Sequence, residues 1–175
     1  MPVITRADGR RIDDGAEAAA IIGALGLGVS RLELPPSEEL AAVQEAQKLD
    51  TWHAAVILSQ LVPQLPTGYA GRDVIALFPS SQGLDGILAA YCRCHVHDDD
   101  EVRLILAGEG VFGFVLPGGD QVEISVAAGD LIAVPAGAEH WFRLGESATI
   151  VAIRLFGANP DWQARYTDTP IRFIT

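Results

Sequence analysis

Basic residues are scarce in this chain of 175 residues. Twelve Lys and Arg stand against 23 Asp and Glu, for a formal net charge of -11. Binding a phosphate backbone or an anionic lipid surface takes clustered positive charge, so neither nucleic acid nor membrane is an expected partner. Cysteine is almost absent as well. Cys92 and Cys94 stand too close in sequence to bridge each other without strain, which excludes a disulfide framework and makes a reducing cytoplasm the expected setting. No apolar run is long enough to span a bilayer, and the nearest approach, residues 18–29, is interrupted by Gly23, Gly26 and Gly28. The N-terminal Met1-Pro2-Val3-Ile4-Thr5-Arg6 lacks the apolar region of a signal peptide. Neither an internal repeat, nor a low-complexity tract, nor a linker marks a second domain. One domain over 1–175 is therefore expected, with a helical arm at 1–66 and a β-rich body and tail at 67–175, and a monomer.

What is present is a globular composition, 49% hydrophobic and 20% charged, on a chain long enough to bury a core. Asp14 reads as the N-cap of a helix running through Glu17 and Ile22 toward Gly26, and Val29, Leu32 and Leu34 as a short strand. Ser37 caps a second helix, with Glu38 and Glu39 placed to complement its dipole. The stripe Leu40, Val43, Leu49, Trp52, Val56, Leu61 predicts that this helix continues unbroken to about Pro63, with Trp52 in the packing. Residues 73–79 read as a strand, and 87–94 fit neither period. From there the pattern is regular. Short apolar segments at 102–106, 111–116, 122–126, 131–134, 140–144 and 149–156 are separated by Gly, Pro and Asp, the mark of an antiparallel sandwich or barrel. Trp162, Tyr166 and Phe173 in the tail are expected to pack back onto it.

Only four histidines occur, and three fall in one pattern. His95 and His97 are two apart, so on a strand they share a face. The acidic turn Asp98-Asp99-Asp100 brings Glu101 back to them, and His140 arrives from an antiparallel neighbour. Three imidazoles and a carboxylate make a ligand set for a first-row divalent metal and leave two adjacent positions open on an octahedral ion. The fourth histidine, His53, reads as a helix residue with no role, and Cys92 and Cys94 as small strand residues entering the site.

The spacings His-x-His-x3-Glu-x6-Gly from His95 to Gly108 and Gly-x5-Pro-x-Gly-x2-His from Gly129 to His140 resemble the two cupin motifs. Ala89 stands where cupins usually have a glycine, and Leu144 where they usually have an asparagine; neither position supplies a ligand. Within the cupins, the segments 95–103, 129–142 and 152–156 with Trp162, and Gly68-Tyr69 with Asp73-Val74-Ile75, resemble the acireductone dioxygenase family. Cys94 departs from that family's frequent acidic residue before the first histidine.

The resemblance implies a mainly β, cupin-type antiparallel β-barrel (jelly roll) with N-terminal helices. It implies His95, His97, Glu101 and His140 as ligands of one divalent metal, Fe2+ or Ni2+. The implied reaction is cleavage of the enediol 1,2-dihydroxy-3-keto-5-methylthiopentene by O2 in methionine salvage. Iron gives 2-oxo-4-methylthiobutanoate and formate; nickel gives methylthiopropionate, formate and carbon monoxide. Arg103 shares the face of Glu101, where a guanidinium stabilises developing oxyanion charge, and Arg154 interrupts an apolar strand, as a substrate contact or as half of an ion pair. Tyr91, Phe142 and Trp162 match aromatic positions of the family and would line the methylthio pocket. Two other readings fit the same residues: a cupin oxygenase or isomerase acting on a different chelating substrate, and a non-enzymatic cupin that binds a metal or small molecule.

Overall fold

A computed structural model describes residues 2–157 and 163–173. The N-terminal region supplies strands as well as helices: β1 (Val3–Arg6), β2 (Arg11–Ile12), α1 (Gly15–Leu25) and β3 (Gly28–Arg31). Next come α2 (Glu38–Ala46), α3 (Thr51–Leu61), β4 (Gly71–Leu77) and α4 (Leu84–Tyr91). The remainder is strand: β5 (His95–Val96), β6 (Glu101–Val115), β7 (Gln121–Ala127), β8 (Asp130–Val134), β9 (His140–Leu144), β10 (Ile150–Phe156) and β11 (Arg165–Tyr166). All pairings are antiparallel. One sheet runs β11-β5-β9-β6-β7-β1-β2; in the other, β6 continues between β10 and β8, which pair in turn with β4 and β3. The fold class is that of the cupin jelly roll expected above.

The long strand β6 links the two sheets, and a bulge in it explains the change of face along its length. Odd-numbered Glu101, Arg103 and Ile105 point into the space between the sheets, while Val102 and Leu104 face the helices, as a period of two requires. The register then slips opposite Val151 and Ala152, and Leu106 and Ala107 both join the helix-facing cluster. Beyond the slip the parity is reversed, and even-numbered Phe112 and Phe114 are the interior residues. Gly108 makes this possible. It has φ +73°, and a Cβ there would stand 2.0 Å from the Thr149 carbonyl oxygen. The sequence pattern takes Gly108-Glu109-Gly110 as a turn between two strands; the structure makes it a bend within one.

Two apolar clusters hold the layers together. The interior cluster joins Ile105, Phe112, Phe114, Ile124, Ile132 and Ile150 to Ile21 and Leu25 of α1. The outer cluster lies under α2 and α3, where Val43, Ile57 and Leu61 cover Val102, Leu104, Val151 and Ile153. Each such side chain, fully buried, contributes roughly 1.5–3 kcal/mol. The single long helix expected from Ser37 to Pro63 is two. Gln47 ends α2 in the left-handed conformation (φ 48°), and Asp50 caps α3, its carboxylate accepting from the His53 N–H at 2.8 Å. The restart resets the helical phase. Trp52, expected in the packing, falls in the first turn of α3 and is 62% exposed, while Ile57 and Leu61 take the core face.

Candidate metal centre

His95, on β5, pairs directly with His140, on β9, and His97 follows two residues on. The ligand atoms of the three rings lie within 4.8 Å of one another, and all three residues are buried. Each ring is aimed by a backbone carbonyl: His95 Nδ1 lies 2.7 Å from the Arg93 oxygen, His140 Nδ1 2.8 Å from that of Ala138, and His97 Nδ1 3.3 Å from that of Gln163. A carbonyl only accepts, so Nδ1 carries the hydrogen and donates it. In the neutral ring this leaves Nε2 as a bare lone pair. Burial, with the neighbouring His140 and His97, pushes the His95 imidazole down to about 4, so it is neutral at ordinary pH.

Glu101 completes the set from the first position of β6. Its Oε2 lies 3.1 Å from His97 Nε2 and 3.5 Å from His140 Nε2, while Arg103 Nε holds Oε1 at 2.6 Å. Burial would raise this carboxyl, but the Arg103 guanidinium beside it outweighs that and holds the pKa well below the usual carboxylate range. Carboxylate and imidazole lone pairs at this distance repel unless a cation lies between them. His95 Nε2 and His140 Nε2 are buried with no hydrogen-bond partner, an expensive state in the absence of a ligand. Three imidazole nitrogens and one carboxylate oxygen fit a first-row divalent metal. The three imidazoles are mutually in range, and Glu101 touches two of them.

Arg103 reaches Glu101 across one face of β6, and its guanidinium rests 5.5 Å from the Phe142 ring centroid. Arg154 lies opposite Arg103 in the β6–β10 register and makes the ion pair that was one of its two expected roles. Its Nε and Nη2 bind the two oxygens of Asp73 at 2.9 and 2.6 Å. Both arginines line a cavity of about 650 Å³ whose wall is largely apolar, with Tyr91 and Phe142 beside them and Ile75 and Leu88 further out. Tyr91 also stands 6.0 Å from His95, ring to ring, which joins the cavity to the histidine cluster. Trp162 lies outside the described residues. Much of the wall comes from α4, which overlaps the stretch 87–94 that fits neither period; Gly86 and Ala90 on it and Gly83 just before it are small.

The acidic turn is used for anchoring. Asp98 pairs with Arg165 of the tail, and Asp100 Oδ1 accepts from the Ala136 N–H at 2.8 Å, which ties the turn to the loop before His140. Sequence reasoning missed the three aiming carbonyls, for which side-chain identity carries no signal. It also missed Glu139, which adjoins His140 as Cys94 adjoins His95. Burial pushes the Cys94 thiol up to about 11, so it stays protonated, and it donates to Glu139 Oε1 at 3.5 Å.

Residues 20–164 match the ARD/ARD' family. The chain belongs to that family. An acireductone dioxygenase from Sulfurihydrogenibium sp. (strain YO3AOP1) is 33% identical over 171 residues, covering 95% of this chain and 94% of its own length. One from Microcystis aeruginosa is 50% identical over 106 residues, 61% of this chain. The match spans 58% of that relative's length. Among solved structures, acireductone dioxygenase from Bacillus anthracis with a cadmium ion in its active center superposes with a TM-score of 0.81 at 29% identity. That match covers 95% of this chain and 98% of the other. Membership of the ARD/ARD' family accords with the cupin architecture and with a centre built for a divalent metal.

Proposed function

We propose that this protein is a metal-dependent dioxygenase that cleaves 1,2-dihydroxy-3-keto-5-methylthiopentene with O2 in methionine salvage, working as a cytoplasmic monomer. One observation carries the reading: the buried Nε2 atoms of His95 and His140 lie with His97 and the Glu101 carboxylate around one point, beside an apolar cavity fronted by Arg103. His95, His97, Glu101 and His140 would hold the metal, Fe2+ or Ni2+, which supplies Lewis-acid and template chemistry for a chelating enediolate and O2.

The charge balance of the chain's own groups favours such a substrate. As metal ligands the imidazoles would add no charge, and Glu101 and Arg103 cancel, as do Asp73 and Arg154. The protein shell is then close to neutral, and a divalent ion leaves a net positive site that attracts an enediolate. Arg103, held against Glu101, lines the cavity, where its charge would stabilise a substrate oxyanion. Tyr91, Phe142 and Trp162 would take the methylthio tail, burying it away from water. The acidic surface gives polyanions no purchase. Among the described residues no helix is long and apolar enough to cross a membrane.

The iron form is expected to give 2-oxo-4-methylthiobutanoate and formate, and the nickel form methylthiopropionate, formate and carbon monoxide. The test is to load the metal-free protein with each ion, add the enediol without oxygen, then admit oxygen and identify the products. Metal-dependent substrate loss with these products supports the reading. Oxygen uptake no faster than the uncatalysed rate in both forms contradicts it.

A further inference from the structure

Cys94, Glu139 and Thr167 take no part in the chemistry above, yet they meet at one carboxylate oxygen. The Cys94 thiol donates to Glu139 Oε1 at 3.5 Å, and the Thr167 hydroxyl donates to the same oxygen. The Thr167 N–H closes the triangle on the Cys94 carbonyl at 3.0 Å. The three residues come from separate segments: Cys94 leads into β5, Glu139 leads into β9, and Thr167 follows β11.

Each of those segments carries a carbonyl that aims one imidazole. Arg93 immediately precedes Cys94 and binds His95; Ala138 immediately precedes Glu139 and binds His140; Gln163 lies upstream of Thr167 and binds His97. Sheet pairing does little to fix these segments relative to one another. The β5–β9 ladder is the single pair His95↔His140, and the β5–β11 ladder has two pairs. Ladders that short are marginal by themselves. The Glu139 carboxylate is a contact that all three segments share, beside pairwise ties such as the Gly137 N–H to the His97 carbonyl at 2.9 Å.

We propose that Cys94, Glu139 and Thr167 form a clasp that sets the aim of the three ligand imidazoles, Glu139 and Thr167 being positioning residues for the metal. The proposal rests on the reading of the histidines as metal ligands, which the wild-type protein tests separately. The tail has another anchor that serves as a control. Gln121 donates through Nε2 to the Pro170 carbonyl at 2.8 Å and accepts from the Arg172 N–H at 2.8 Å; neither bond involves Cys94, Glu139 or Thr167.

The experiment titrates metal-free protein with Co2+ and follows both affinity and the visible absorption of the bound ion. Thr167→Val and Cys94→Ala should each raise the Kd about tenfold or more and alter the spectrum, the range seen when partners of metal-bound histidines are removed. Thr167→Ser and Cys94→Ser should restore both. Gln121→Ala should leave both at wild-type values, even if it lowers the Tm of the metal-free protein as much as Thr167→Val does. Wild-type Kd and spectrum in Thr167→Val and Cys94→Ala would overturn the clasp. So would an equal loss of affinity in Gln121→Ala, because the effect would then belong to tail docking in general. If wild-type protein binds no Co2+, the metal reading falls and the clasp with it.

Discussion

The two halves of the candidate metal centre are built by different means. Glu101 and His140 begin strands that are embedded in sheet. β6 runs for 15 residues with partners on both sides, and β9 pairs with it over five positions from Phe114↔His140 to Gly110↔Leu144. Their placement is a by-product of sheet register, which the buried Phe112, Phe114 and Ile132 enforce: a one-residue slip would turn these side chains to the wrong face. His95 and His97 sit on and just beyond a strand of two residues, held by the tail, the acidic turn and the Glu139 carboxylate. Long ladders open cooperatively with the whole core, whereas isolated contacts open one at a time. The sheet therefore supplies a fixed half of the site and the tail an adjustable one. The identity of the side chains at Cys94, Glu139 and Thr167 matters more than their strand propensity.

The largest effect should come from the fixed half. Arg103→Met keeps most of the bulk but removes the guanidinium beside Glu101, and kcat/KM should fall by about 10²–10³, the usual effect of deleting one donor to a developing oxyanion. Steady-state kinetics with metal analysis on the same samples checks this. Metal lost in proportion to activity would show instead that Arg103 acts by holding Glu101.

A second perturbation attacks the register itself. A Cβ at Gly113 would lie 1.8 Å from the Trp141 indole, whose Nε1 donates to Glu123 at 3.3 Å beside Arg143. Gly113→Ala should cost about 1–3 kcal/mol, as overpacking does, and because Trp141 neighbours His140 it should weaken metal binding too. Urea denaturation of the metal-free protein and metal titration are the measurements. Unchanged stability would mean that the sheet yields more easily than the comparison supposes.

The smallest effect lies far from both halves. Glu17, between Arg10 and Arg6, is lowered to about 2 by hydrogen bonds from those two guanidiniums, against an ordinary 4.5. A depressed carboxyl stabilises the fold above its unfolded pKa and loses that contribution as pH falls toward the folded value. Comparing wild type with Glu17→Gln, the wild-type advantage should be constant above about pH 4.5 and shrink between 4.5 and 2. An advantage that grew on acidification would reverse the assigned sign.

Much of this was legible in the residues. The three histidines and Glu101 could be read together because ligand chemistry limits the side chains, and the β-rich body because alternation and turn residues repeat. The caps Asp14 and Ser37 were equally plain, and both accept the hydrogen bonds expected of them. What escaped was decided by backbone geometry. The break between α2 and α3 turns on one left-handed residue, Gln47, in a stretch whose apolar spacing still looks helical. Gly108 reads equally well as a turn or a bulge, and only the close approach of the Thr149 carbonyl decides between them. The carbonyls of Arg93, Ala138 and Gln163 belong to a group every residue carries, so no sequence pattern singles them out.

The central claim is that both halves converge on a single divalent ion. Metal analysis of the purified protein, wild type beside His140→Ala, tests it most directly. One equivalent of a divalent transition metal in wild type, and almost none in a His140→Ala protein with unchanged circular dichroism, is the predicted result. Equal metal content in the two proteins, or no metal uptake by wild type, would contradict the account.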